Sequence, residues 1–210
     1  MIEYDVISTG SKGNAVAVNG YVLIDCGVPF EKLKEVYKGL KIVLLTHIHR
    51  DHFLPQTIKR LAFERPSLRF GCCEWLLEDL IKCGVERKNI DVFQIGKVYD
   101  YKIFKLAALK LFHDVPQCGY RLYFGNEKAM YATDTRTMEG ISAKNYDLYM
   151  IEANYEEWEL RERIKDKVLR RQYSYELSVP YRHLSEEQAK KWLAENNSGG
   201  GEVVFLHRHE

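Results

Sequence analysis

The segment Thr46-His47-Ile48-His49-Arg50-Asp51-His52 gathers three imidazoles and a carboxylate directly after an apolar run, residues 41–46. In an extended chain, residues two apart project to the same side, so His47 and His49 can grip one metal ion. A turn beyond them swings Asp51 and His52 toward a neighbouring point, which makes two binding centres. Imidazole and carboxylate without thiolate suit zinc, and also iron or manganese.

A dinuclear site needs further ligands, and His113, His183, His207 and His209 remain outside the motif. His113 closes the apolar run 109–112, Asp134 closes 130–133, and His207 closes 203–206. Metal-competent residues just past strand ends are what a sheet protein uses to build a site. His207 and His209 could share a face; His207 is the expected ligand because it directly follows its run. His183 stands two positions before Ser185, the predicted N-cap of a helix, beside helix amides that attract anions. Arg182 next to it offers a guanidinium fork to a phosphate.

The elements that must position these residues read as strands in two blocks, with helices between and after them. Residues 2–7, 15–18 and 21–24 are short β-rich runs, the last two joined by Asn19-Gly20, whose residues suit the positive φ of a tight hairpin turn. The run 41–46 suits a strand buried on both faces. Helices are expected at 29–38, with Phe30, Leu33 and Val36 on one face, and at 55–63, 74–83 and 156–171. Ser185-Glu186-Glu187-Gln188 has the form of a capping box opening a helix to about residue 195. Strands are expected at 69–72, in a series through 91–132, at 147–152 and at 203–206. Nothing marks a domain boundary, so residues 1–210 are expected to form one domain of sheets sandwiched between helical layers.

Composition narrows the function classes. Thirty-one basic against thirty acidic residues leave a formal charge of +1, so any anion must be recognised locally rather than by a global field. The helix at 156–171 carries both signs and reads as a solvated face. The five cysteines are odd in number and fit no disulfide or zinc-ribbon spacing. With an acidic N-terminal stretch and no apolar run near the ~20 residues of a membrane span, they point to a cytoplasmic protein.

On these residues the chain resembles the metallo-β-lactamase superfamily, whose signature His-x-His-x-Asp-His stands here as His47, His49, Asp51 and His52. The resemblance implies an α/β, four-layer αβ/βα sandwich (the metallo-β-lactamase fold). It implies one ion on His47, His49 and His113, a second on Asp51, His52 and a late histidine, and Asp134 bridging the two. It matches Asp25 to an acidic residue that supports the site. Four stretches, residues 11–15, 112–116, 151–154 and 183–185, look like the YycJ (WalJ) branch, which is similar to the tRNA 3′-processing enzymes and ribonuclease J and is associated with 5′ to 3′ DNA exonuclease activity. That branch commonly has Gly-His-Leu-Ser-Asn where this chain has Arg182-His183-Leu184-Ser185-Glu186, and its members continue beyond the final His motif. Asn154 matches its pattern and is expected to line the pocket. In ribonuclease-like relatives the residue matching His183 contacts the scissile phosphate or protonates the leaving oxygen.

Two divalent cations set against Asp51, Asp134 and a bridging hydroxide leave one net positive charge, which a phosphodiester would neutralise. The expected reaction is in-line attack of the metal-activated hydroxide on phosphorus, with Asp51 orienting the water and His183 serving the leaving group. The expected protein is thus a two-metal hydrolase, with zinc as the expected metal, acting as a nuclease on DNA. The alternative is a thioester or lactone hydrolase like glyoxalase II and lactonase relatives. A non-catalytic regulator would be expected to lack ligands that are all present here, and the stretch between Asp134 and His183 is too short for the large extra domain of ribonuclease J relatives.

Overall fold

The computed structural model describes residues 1–208. The first half builds a six-stranded sheet in chain order: β1 (Tyr4–Ser8), β2 (Ala15–Val18), β3 (Val22–Ile24), β4 (Ile42–Leu44), β5 (Arg69–Cys73) and β6 (Ile90–Phe93). β1 to β3 run antiparallel and β3 to β6 parallel. The second half builds another six-stranded sheet from β7 (Val98–Asp100), β8 (Lys105–Lys110), β9 (Cys118–Phe124), β10 (Glu127–Ala132), β11 (Leu148–Glu152) and β12 (Glu202–Leu206), spatially ordered from β12 back to β7. β7 to β10 are antiparallel, while β10, β11 and β12 are parallel.

The two sheets face each other across a core that includes Ile24, Leu44, Tyr120, Tyr131, Met150 and Leu206. Outside the first sheet, α1 (Pro55–Glu64) and α2 (Leu77–Lys82) bury Ile58, Leu61 and Leu80 against Val43 and Phe70. Outside the second, α4 (Glu186–Asn196) buries Ala189, Trp192 and Leu193 against Tyr149 and Ile151. Both sheets therefore have two apolar faces, which is why β4 and β11 are uninterrupted apolar runs up to Glu152. The result is the expected four-layer αβ/βα sandwich. α3 (Glu157–Leu169) stands apart on a small cluster of Tyr155, Leu160 and Val179. Among the described residues no helix is long and apolar enough to cross a membrane.

One expected element is replaced. In place of a helix over 29–38, Phe30–Leu33 forms a single 3-10 turn followed by further turns. The residues chosen for one face, Phe30, Leu33 and Val36, are each three apart. That is the 3-10 period rather than the α period, and amides bond carbonyls three residues back, as Lys32 to Pro29 and Val36 to Leu33 at 3.0 Å each. A longer 3-10 stretch, Tyr175–Tyr181, contains Pro180 and lies where the sequence carried no periodic signal.

Candidate metal centre

The site residues arrive from the ends of strands. β3 leads to Asp25, β4 to His47, β8 to His113, β10 to Asp134, β11 ends in Glu152 and β12 leads to His207. Three of these, Asp25, Asp134 and His207, have positive φ of 61°, 52° and 53°. Non-glycine residues rarely adopt this left-handed conformation, and here it turns the chain sharply at the strand end so that the side chain faces the cluster. The His47–His52 loop is clamped from behind. Asn14 and Cys26 amides donate to the Asp51 and His52 carbonyls at 2.6 and 2.8 Å. Gly27 packs so close that a Cβ there would stand 1.7 Å from the Asp51 carbonyl oxygen, so only glycine fits.

Four overlapping groups of ligand atoms result, the atoms of each lying within 4.8 Å of one another: His47, His49 and His113; His47, His52 and Asp134; Asp51, His52 and His207; and Asp134, Glu152, His183 and His207. His113 Nε2 lies 3.2 Å from His49 Nδ1. Asp51 Oδ2 lies 3.4 Å from His207 Nε2, and Asp134 carries Oδ2 2.8 Å from His52 Nε2 and Oδ1 3.5 Å from His207 Nε2. Every residue that sequence reasoning assigned to a metal is thus brought together. His209 lies outside the described residues.

Buried hydrogen bonds fix which ring nitrogens face inward. Asp25, fully buried, accepts from the Thr46 amide at 3.0 Å, the Thr46 hydroxyl at 2.9 Å, His52 Nδ1 at 2.7 Å and the Tyr131 hydroxyl at 3.1 Å. Since the Thr46 hydroxyl proton goes to Asp25, Thr46 Oγ1 accepts from His47 Nδ1 at 2.9 Å. One carboxylate therefore holds His47 and His52 with their Nε2 lone pairs available to the cluster, the usual arrangement behind a metal-bound imidazole. His113 is set in the same way by donating Nδ1–H to the Arg182 carbonyl at 3.1 Å.

This arrangement fits cations. His47 Nε2 is buried and without a hydrogen-bond partner among the described residues, a cost that a bound cation would remove, and the buried Asp134 Oδ2 faces His52 Nε2 at 2.8 Å. The protein without ions meets that need with protons on one side only. Burial, then the neighbouring His52, hold His47 well below the usual histidine range, and burial lowers His113. For His52 burial is outweighed by Asp134 and Asp25, which push it well up; for His207 burial is outweighed by Asp134 and Asp51, which raise it to about 9. Asp134 is itself held well below the carboxylate range because His52 and His207 outweigh its burial.

Glu152 is a site residue that sequence reasoning did not single out, although it stands in one of the stretches quoted above. It is fully buried, its Oε1 lies 2.6 Å from His183 Nδ1, and its Oε2 accepts the amides of Thr135 at 2.9 Å and Leu184 at 3.2 Å. Burial lowers His183, but the hydrogen bond to Glu152 outweighs it and raises the imidazole above its ordinary value. The weaker candidates fall into supporting places. Asn154 Nδ2 donates to the His207 carbonyl at 2.8 Å and anchors that residue. The Ser185 side chain, buried, accepts from the Gln188 amide in the expected capping box, so it fixes the start of α4 behind His183 instead of facing a substrate. The Arg182 side chain is exposed and bonds Asp114 at 3.2 Å.

A two-sheet αβ/βα sandwich with a His/Asp cluster across the strand ends defines the metallo-β-lactamase class of fold. The chain belongs to the beta-lactamase superfamily: residues 21–207 match the family described as a beta-lactamase superfamily domain. Members of that superfamily typically hold two divalent metal ions, in keeping with the cluster described here. Among solved structures, the metallo-beta-lactamase fold protein YhfI from Bacillus subtilis aligns with TM-score 0.77 at 21% identity, covering 100% of this chain and 87% of that one. The short form of human tRNase Z aligns with TM-score 0.70 at 16% identity, covering 99% and 93%. A diphosphatase from the PhnP family aligns with TM-score 0.66 at 16% identity, covering 99% and 87%. At these identities the likeness is one of fold. No curated protein sequence matches the chain.

Proposed function

We propose that the chain is a cytoplasmic, two-metal phosphodiesterase of the YycJ (WalJ)-like kind, zinc being the first metal to try, that cleaves DNA as a 5′ to 3′ exonuclease. His47, His49 and His113 would hold one ion, Asp51, His52 and His207 the other, and Asp134 would stand between them. Bound divalent ions would supply Lewis acidity toward a phosphoryl oxygen and toward water. The five cysteines, all buried and unpaired, suit a reducing compartment.

The observation that carries the reading is the Glu152–His183 pair at 2.6 Å, which stands against the ligand cluster with its ligand atoms within 4.8 Å of those of Asp134 and His207. Glu152 holds the proton on His183 Nδ1, so the protonated imidazole has its Nε2 proton to give to a departing alkoxide. That leaving group is poor in a phosphodiester and needs an acid; a thiolate leaving from a thioester does not. Asp51, whose Oδ2 lies 3.4 Å from His207 Nε2 and whose side chain is 25% exposed, would orient the attacking water and accept its proton. The named neighbours lend support, since a tRNase Z and a diphosphatase both break phosphorus–oxygen bonds.

The test incubates the zinc- or manganese-loaded protein with 5′-labelled duplex and single-stranded DNA, bis-p-nitrophenyl phosphate and a thioester. Phosphodiester cleavage with an inert thioester supports the reading, as does His183→Ala lowering turnover about 10²- to 10⁴-fold with metal content retained. Asp51→Ala should abolish hydrolysis. Thioester cleavage with inert phosphodiesters overturns the assignment in favour of the glyoxalase-like alternative.

A further inference from the structure

The loop between β1 and β2 carries Ser11-Lys12-Gly13-Asn14, a stretch that the ligand set leaves unexplained. Gly13, at φ 125°, packs where a Cβ would stand 2.3 Å from the Gly27 carbonyl oxygen, which seats the loop against the segment that clamps the metal loop. Asn14 is only 1% exposed, and its neighbours settle which way its amide points. Oδ1 accepts from the Gly10 amide at 2.9 Å and, more distantly, from the Thr9 hydroxyl at 3.4 Å, so Nδ2 is the atom turned toward the metal loop. Four acceptors stand around Nδ2: the Gly10 and Asp51 carbonyls at 3.2 Å each, Asp51 Oδ2 at 3.4 Å and His52 Nε2 at 2.8 Å. The amide has two N–H groups to distribute among them.

Two of those acceptors are backbone carbonyls, and the other two are atoms assigned above to one ion. Once His52 Nε2 gives its lone pair to a cation, Asp51 Oδ2 is the side-chain acceptor left to the amide. The same oxygen lies 3.4 Å from His207 Nε2 and 3.6 Å from His52 Nε2. Asp51 needs such a hold, because its side chain is partly exposed and a carboxylate free to turn offers either oxygen. The loop also grips the opposite ligand. The His207 amide donates to Thr9 Oγ1 at 2.7 Å, at a residue held in a left-handed conformation that costs free energy to keep. Asp51 and His52 follow a strand of the first sheet and His207 follows the last strand of the second, so one short loop braces ligands from both halves.

We infer that Asn14 is a positioning residue for the ion assigned to Asp51, His52 and His207, with Thr9 as its counterpart on His207; the inference rests on the two-ion reading and deepens it. The Asn14 amide fixes Oδ2 as the ligand oxygen of Asp51 and leaves Oδ1 to the attacking water. Thr9 holds the His207 backbone so that Nε2 meets that same oxygen. Neither side chain bonds His47, His49 or His113 among the described residues. The effect of both is therefore confined to one of the two ions.

The test titrates the metal-free full chain with zinc against a chromophoric chelator, and with cobalt(II) followed by visible absorption. Asn14→Ala should weaken one zinc equivalent by about 10- to 100-fold, the range for partners behind metal ligands, and leave the other unchanged. The weakened equivalent should be the one whose cobalt(II) bands His207→Ala also removes. Thr9→Val, at an exposed position, should weaken that equivalent too, and Thr9→Ser, which keeps the hydroxyl, should restore it. A role in packing alone would lower the unfolding temperature without separating the two equivalents. The inference is overturned if Asn14→Ala binds both equivalents as wild type does or weakens both alike. Should Asn14→Ala fail to fold, Thr9→Val binding zinc as wild type does overturns it. A wild-type protein that binds a single zinc overturns the two-ion reading and this inference with it; one that binds two while the Asn14 and Thr9 variants keep both overturns this inference alone.

Discussion

Replacing Asp25 by Asn tests the hydrogen-bond logic of the metal centre at its root. The carboxylate is fully buried and accepts four hydrogen bonds, two on each oxygen. Asparagine keeps the volume but has one oxygen, so its NH₂ must face either the Thr46 donors or the donors from His52 and Tyr131. If it faces His52, the imidazole turns its Nδ1 lone pair outward and carries its proton on Nε2, where a cation should bind. If it faces Thr46, the same inversion passes through the Thr46 hydroxyl to His47. Losing one partner from a buried polar group costs about 1–3 kcal/mol, and two donors are left facing a donor here, so a loss of about 2–4 kcal/mol is expected. For a chain of this length that is a fall in unfolding temperature of about 4–16 °C. Metal affinity should drop by about 10- to 100-fold, the range for partners behind metal-bound histidines. Chelator competition measures the affinity and thermal unfolding the stability, with Thr46→Val as the companion variant that takes the hydroxyl from both His47 and Asp25 Oδ1 but leaves the Asp25–His52 bond in place. Metal affinity within twofold of wild type in Asp25→Asn would refute the tautomer argument.

Two other outcomes follow from the geometry. Gly27→Ala puts a methyl 1.7 Å from the Asp51 carbonyl oxygen and should either leave the protein unfolded or cost more than about 3 kcal/mol, read from denaturant unfolding; a near-neutral variant would show that the clamp behind the metal loop is slack. Removing the metal should make the protein pH-sensitive in a defined direction. His207 is raised to about 9 when folded, above its unfolded value of about 6.5, so its contribution to the ion-free fold is complete below pH ~6.5 and fades as pH rises through about 9. The unfolding midpoint of chelator-treated protein should therefore fall between pH 7 and 9.5, while zinc affinity, which requires that proton to leave, should rise over the same interval. A flat zinc affinity across that range would contradict the assignment of His207 as a ligand.

Much of the centre was legible because it is local. Three imidazoles and Asp51 lie within one short loop, and His113, Asp134 and His207 each follow an apolar run, so strand ends and ligands could be read together. The helix expected at 29–38 failed because spacing of three was taken for one turn of an α-helix. Glu152 was not legible as a site residue. It sits at the end of a buried strand, where a sequence shows only a charge after apolar residues, and its significance depends on His183, Thr135 and Leu184 arriving from elsewhere in the fold.

The left-handed turns at Asp25, Asp134 and His207 have a consequence for attempts to engineer this protein. Each holds its backbone where glycine would be at ease, at a conformational cost on the order of 1–3 kcal/mol. A selection for heat resistance alone would reward relaxing those corners. The hardiest descendants would then be expected to be the ones that had discarded their reactivity, so thermal screens on this scaffold need an activity gate running beside them.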